Sequence, residues 1–228
     1  MRDIVYILKD GITSKELVYS LRSVEKNFPH RYIWFVGGQP LNLIPDRRLK
    51  HEQQGPSKWD LIKSSMLEVI KQPELTDEFY LFNDDFFVMK PFEGEFINYA
   101  DRSLTERVND FIEERGAPNR YARTILAARD QLLAQGYPEV NFEVHLPMLF
   151  EKDKVEEALK KCPSPQMRSV YGNVTGCRYI QRPDVKVNRM EYIPDDPDFV
   201  STNDNTFAFG NIGRHIRQTF DKRSRFEL

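Results

Sequence analysis

Cysteine is scarce in this chain. There are two in 228 residues, Cys162 and Cys177, and neither belongs to a Cys-x-x-Cys or Cys/His cluster. That spacing argues against a disulfide framework and a structural zinc, and it fits a reducing compartment. An excess of one charge is missing too. The 33 basic and 35 acidic residues leave a formal net charge of −2, so nothing at whole-molecule scale draws the chain to nucleic acid or anionic membrane. No stretch approaches the roughly 20 apolar residues of a membrane span. The short apolar run at the amino terminus is broken by Lys9-Asp10, unlike a signal peptide. Also absent are G-x-x-x-x-G-K-[ST], G-x-G-x-x-G and G-x-S-x-G, so P-loop, dinucleotide-fold and esterase readings lack their motifs. Together these absences predict a soluble, cytoplasmic protein. With 40% hydrophobic and 12% aromatic residues, residues 1–228 can bury the core of a single α/β domain.

The most informative stretch is 76–90. Phe79 to Phe82 is a four-residue apolar run that reads as a strand buried on both faces. It enters Asn83-Asp84-Asp85, and Phe86 to Val88 follow. Adjacent carboxylates between apolar flanks need a cation or hydrogen-bond partners, and the carboxyl end of a central strand is where open α/β sheets place ligands. An acidic surface turn is the plainer alternative.

Upstream, Ile4 to Leu8 predicts a strand ended by Asp10-Gly11. A helix capped by Ser14 then runs to Asn27, with Leu17, Leu21, Val24 and Phe28 inward. Tyr32 to Val36 predicts a second strand, parallel to the first. Residues 39–56 read as loop, with a short strand at Leu49 to Gln53, and Ser57-Lys-Trp-Asp60 starts a helix with Trp59, Ile62, Met66 and Val69 on one face. Between 91 and 140 two charged helices begin at the Ser103-Leu-Thr-Glu106 capping box and at Asn119, as an insertion, a lid or a cover of the sheet. Asp153 opens a further helix ending near Cys162-Pro163. A polar stretch, a strand around Val185 to Ile193, Phe199-Val-Ser-Thr, a helix over Phe207 to Phe220 and an exposed tail from Asp221 complete the reading.

Several side chains could carry chemistry. Asn203-Asp204 follows a strand-like run just as Asn83-Asp84 does, and with Asp85 it would supply the hard oxygens that suit Mg²⁺ or Mn²⁺ beside a phosphate. In Glu143-Val-His145-Leu-Pro147 the alternation puts Glu143 and His145 on one side, where His145 could serve as general base to a hydroxyl or as a satisfied core histidine. Arg22, at the edge of the first helix's buried face, and Arg168 carry planar donor forks that match phosphate. His30, His51 and His215 take no role.

Taken in order, these segments resemble the Stealth family of sugar-phosphotransferases. Asp3-Ile-Val-Tyr with Glu16-Leu-Val-Tyr-Ser-Leu-Arg-Ser-Val-Glu-Lys26 is similar to its first block, Phe79-Tyr-Leu-Phe-Asn-Asp-Asp-Phe-Phe to its second, His145-Leu-Pro to its third and Phe199-Val-Ser-Thr-Asn-Asp204 to its fourth. The resemblance implies a GT-A-like, mostly parallel α/β sheet flanked by helices. It also implies transfer of a hexose-1-phosphate from a UDP-sugar to a glycan or polyol hydroxyl, with UMP released. Asp84, Asp85 and Asp204 would then hold the divalent ion or act as acids, with Asp85 and Asp204 as metal ligands. His145 would be the acid/base, Arg22 and Arg168 would hold phosphate, and Asp3, Asn83 and Asn203 would lie near the donor. Two features depart from the family: Tyr-Ile-Leu-Lys-Asp-Gly in the first block lacks an expected Trp and Asn, and Gly55-Pro-Ser-Lys-Trp59 replaces a more apolar segment. Two alternatives stand beside this reading: a metal-dependent glycosyltransferase releasing UDP, and a non-catalytic module binding a nucleotide-sugar or glycan.

Overall fold

A computed structural model describes residues 1–9, 15–52, 55 and 57–228. The expected Asp10-Gly11 turn, the Ser14 cap, Gln53 as a strand end and Pro56 lie outside the described residues. In chain order the elements are β1 (Asp3–Leu8), α1 (Lys15–Asn27), β2 (Ile33–Gly37), β3 (Arg47–Leu49), α2 (Lys58–Val69), β4 (Glu78–Phe82), β5 (Phe86–Val88), β6 (Asn98–Ala100), α3 (Leu104–Arg115), α4 (Arg120–Ala134) and β7 (Met148–Glu151). They continue with α5 (Lys152–Lys161), α6 (Met167–Thr175), β8 (Tyr179–Gln181), β9 (Lys186–Val187), β10 (Phe199–Thr202), α7 (Asp204–Phe209) and α8 (Asn211–Thr219).

The main sheet has the order β3-β2-β1-β4-β7. β1 pairs in parallel with β2 and with β4, β2 in parallel with β3, and only β7 runs antiparallel, against β4. The fold is therefore α/β with a mainly parallel central sheet flanked by helices, as expected. Its strands are near-continuous apolar runs because both faces are covered. Val5, Trp34, Phe79 and Leu81 face one core with α2 to α6, whereas Ile4, Tyr6, Phe35, Tyr80 and Phe82 face another with α1. Each large side chain so buried contributes about 2–3 kcal/mol. The two charged helices α3 and α4 start and stop where their caps dictate: the Ser103/Glu106 capping box, Gly116 in the left-handed region and Asn119. Leu104, Val108, Ile125 and Leu132 join the first of those two cores.

Beside the main sheet, β5, β10 and β9 form a smaller one. β5 lies at its edge, and a stripe of α1 side chains completes that edge. Ser20 Oγ donates to the Phe86 carbonyl at 2.6 Å, the Val88 amide donates to Ser23 Oγ at 3.0 Å, and Asn27 Nδ2 donates to the Val88 carbonyl at 2.7 Å. An otherwise open strand edge is thus satisfied by side chains one helix away.

Five expectations change. The short strand expected at Leu49 to Gln53 lies earlier, at Arg47–Leu49, where it pairs with Trp34 to Val36 of β2. The strand at 185–193 is only two residues long, because β9 meets β10 solely at Ser201 and Thr202. The last helix is two helices: Asn203 and Thr206 form a capping box that starts α7 earlier, and Gly210, in extended conformation, separates it from α8. The polar stretch after Pro163 holds α6, with Met167, Val170 and Tyr171 at helical spacing and buried. Finally, the terminal residues are not an exposed tail. Phe226 is buried, the Ile44 amide donates to the Phe226 carbonyl at 2.8 Å, and the Leu228 amide donates to the Asn42 carbonyl at 3.1 Å.

Candidate active site

The turn Asn83-Asp84-Asp85 leaves the carboxyl end of β4, where β1 and β2 also end. Because β10 runs antiparallel to β5 with Ser201 opposite Phe86, the ladder carried one step further sets Asn203-Asp204 against this turn. The Thr202 amide donates to the Asp85 carbonyl at 3.4 Å. An antiparallel pair of short strands is therefore what brings the two Asn-Asp sequences together. They line one cavity of about 520 Å³ with Glu16, Lys58, His145, Lys186, Thr202 and Asn205.

Each wall is tied down. Asp85 Oδ2 accepts from Lys186 Nζ at 2.8 Å and from Ser201 Oγ at 3.0 Å. Asn203 caps α7, its side-chain oxygen accepting from the Thr206 amide at 3.0 Å, while its Nδ2 donates to Asn188. Asp204 follows in the first turn of α7. Glu16, in the first turn of α1, accepts from Thr202 Oγ1 at 2.6 Å. Burial pushes the Glu16 carboxyl up to about 7, the Thr202 bond opposing and the charges of Asp85, Asp84 and Asp204 adding to the rise.

The histidine segment bends at residues 144–146, and Val144 and Leu146 are buried while Glu143 and His145 are less so, but only His145 reaches the cavity, so the two side chains do not share a site as the alternation predicts. The His145 amide donates to Asp184 Oδ1 at 3.1 Å and its Nδ1 pairs with Asp184 Oδ2 at 2.8 Å. A carboxylate at Nδ1 assigns the proton there and leaves Nε2 as the basic nitrogen. Burial pushes Asp184 up, but the bonds from His145 and its charge hold the carboxyl below its ordinary value. Glu143 faces away from this chemistry. It accepts from the Ser169 amide at 3.0 Å in the first turn of α6, and burial raises its carboxyl.

The structure does not bring every expected residue to the cavity. Arg168 comes close from behind: its NH1 donates to the Leu146 carbonyl at 2.6 Å and its NH2 to Asn83 Oδ1 at 2.9 Å, with Phe86 under the guanidinium. It is buried, and it ties the histidine segment to the acidic turn. Burial lowers its pKa, with Glu143 and Asp85 opposing. Arg22 sits elsewhere, with its fork spent on Glu227 through two bonds of 2.7 Å and NH1 donating to the Phe220 carbonyl at 2.9 Å. Asp3 starts β1, at the opposite end of the sheet from the turn. Its oxygens accept from Arg31 in a fork at 2.8 Å, from Trp34 Nε1 at 3.0 Å and from the Thr76 amide at 3.2 Å.

Sequence reasoning passed over four charged residues that line or support the cavity: Glu16, Asp184, Lys58 and Lys186. Glu16 carried a signal, since Glu16, Ser20, Ser23 and Asn27 fall on one helical stripe beside Leu17, Leu21 and Val24. The other three carried none.

No protein-family model matches the sequence, and no curated protein does. Among solved structures the chain is similar to the galactosyltransferase LgtC in complex with donor and acceptor sugar analogues, at 13% identity and TM-score 0.49, over 97% of this chain and 96% of that one. It is also similar to the glycosyltransferase GlyE of Streptococcus pneumoniae TIGR4, at 12% identity and TM-score 0.32, and to the apo form of GlyE, at 10% and 0.28. Each GlyE match takes in 55% of this chain and 42% of that one, so the chain spans less than half the length of GlyE.

Among the described residues no three His, Cys, Asp or Glu side chains are gathered into a ready-made cage. The lining is nevertheless rich in hard oxygen donors: four carboxylates and three amides line the cavity, and the charges of Asp85, Asp84 and Asp204 add to the rise of Glu16. Among the described residues no helix is long and apolar enough to cross a membrane.

Proposed function

We propose that the protein is a nucleotide-sugar-dependent transferase of the Stealth type, moving a hexose-1-phosphate from a UDP-sugar to an acceptor hydroxyl. One observation carries the reading. Residues from all four resembling blocks, Glu16, Asn83-Asp84-Asp85, His145 and Asn203-Asp204, line the same cavity at the carboxyl ends of the parallel strands, the place where GT-A-like and other open α/β sheets bind ligands.

In this reading His145 Nε2 takes the proton of the acceptor hydroxyl while Asp184 holds the ring and stabilises the imidazolium. The acceptor oxygen bonds to the β-phosphorus, the bond from that phosphorus to the bridging oxygen breaks, and UMP leaves with the bridging oxygen. Asp84, Asp85 and Asp204 would hold Mg²⁺ or Mn²⁺, which supplies charge neutralisation at the phosphoryl oxygens when bound. Arg168 acts as a positioning residue through Asn83, and Asn203 through the α7 cap. The cytoplasm is the compartment that fits UDP-sugar use and the reduced cysteines.

The products test the reading directly. Incubation with a panel of UDP-sugars, acceptor alcohols and Mg²⁺ or Mn²⁺ is expected to release UMP. Release of UDP would replace this reaction with glycosyl transfer. Ligand-dependent thermal stabilisation without release of either nucleotide would mark a binding module.

A further inference from the structure

If the cavity takes a nucleotide diphosphate, which groups balance that charge? Two arginines are the obvious candidates on sequence, and both are engaged elsewhere. Arg22 is locked to Glu227, and Arg168 is buried with its donors on Asn83 and the Leu146 carbonyl. The cavity wall itself carries four carboxylates, which would repel a diphosphate. Among the described residues the lysines on that wall are Lys58 and Lys186.

Their placement suits the task. Lys186 is carried by β9 and one of its three N–H groups is used on Asp85 Oδ2 at 2.8 Å, an ion pair with side-chain exposures of 22% and 14%. The ammonium is thereby held beside Asp85 on the cavity wall. Lys58 is the first residue of α2, directly after the Ser57 cap, so its charge adds to the positive end of a twelve-residue helix. Its Nζ lies 5.2 Å from the Trp59 ring centroid, which makes that indole a reporter of whatever occupies the lysine.

We propose that Lys58 and Lys186 together hold the diphosphate of the donor, Lys186 beside the acidic turn and Lys58 from the α2 side. The inference rests on the proposed nucleotide-sugar function and assigns the phosphate contacts of that site to lysines in place of Arg22.

The test measures UDP and uridine binding by isothermal titration in the presence of Mg²⁺, with tryptophan fluorescence as a second readout. Lys58→Met and Lys186→Met are each expected to weaken UDP about tenfold or more, while uridine affinity stays unchanged. Lys58→Arg and Lys186→Arg are expected to recover most of the loss. UDP should also perturb Trp59 emission in the wild type, Trp34 being buried in the core. Lys58 is exposed, so Lys58→Met tests the idea even if Lys186→Met fails to fold once Asp85 has lost its ion-pair partner, keeping the Ser201 hydroxyl. Wild-type UDP affinity in the Lys58→Met protein overturns the proposal and leaves the donor assignment standing. Absence of UDP binding to the wild type with either Mg²⁺ or Mn²⁺ defeats the nucleotide-sugar function itself.

Discussion

At the scale of single residues, the histidine and its partner make the sharpest case. Asp184 bonds both the amide and Nδ1 of His145, so Asp184→Asn would present an amide that can stabilise the wrong tautomer. Nucleotide release is expected to fall about 100-fold or more, with the melting temperature little changed; an unchanged rate would remove His145 as the base. Glu16 makes a pH prediction. Its folded pKa, about 7, lies above the ordinary value of 4.5. The folded state therefore binds a proton that the unfolded state releases, and stability from this group is full below pH 4.5 and declines as pH rises toward 7. In chelator-treated protein, Glu16→Gln should lose that decline and melt higher than wild type at pH 8, with the two converging near pH 4.5. Parallel melting curves across that range would show that Glu16 ionises normally. His145 was readable in the sequence as a candidate base, whereas Glu16 was passed over although its stripe on α1 carried a signal. Asp184 was not readable, because nothing between residues 145 and 184 encodes that the two segments meet.

At the scale of elements, two devices hold the acidic turn in place. Arg168 reaches from α6 to Asn83 and to the Leu146 carbonyl, and removing a buried guanidinium leaves both acceptors unpaired. Arg168→Met is expected to cost about 3 kcal/mol in urea unfolding, and Arg168→Lys to recover only part of it. The second device is the α1 stripe on β5. Asn27→Ala strips the Val88 carbonyl of its donor and should cost about 1–2 kcal/mol; a loss below a few tenths would mean that water or another group completes the edge. The periodicity of α1, β1, β2 and β4 was legible because one face or both faces are apolar without interruption. The short strands β6 and β8 were not, since three residues carry no period and depend on the strand they meet.

For the molecule as a whole, the carboxyl-terminal segment closes α1 against the loop before β3. Arg22 and Glu227 form a fork with side-chain exposures of 11% and 8%, and Arg225 pairs with Asp46 and Glu25. Glu227→Ala is expected to destabilise by about 3 kcal/mol because it leaves Arg22 unpaired in a nearly closed site. Turnover per folded molecule should stay at the wild-type level. A fall in turnover without a fall in stability would return Arg22 to the phosphate.

The sequence alone determined the class of the fold: buried strands alternating with amphipathic helices admit few arrangements other than a helix-flanked, mainly parallel sheet. It also marked the Asn-Asp-Asp turn, because two carboxylates between aromatic residues demand an explanation. Only the tertiary structure decided which charges surround that turn. Distant segments meet through the antiparallel β5–β10 pairing, and partner choice among charged side chains is settled by proximity. Arg22 therefore went to Glu227, Asp3 to Arg31, and Asp85 to Lys186.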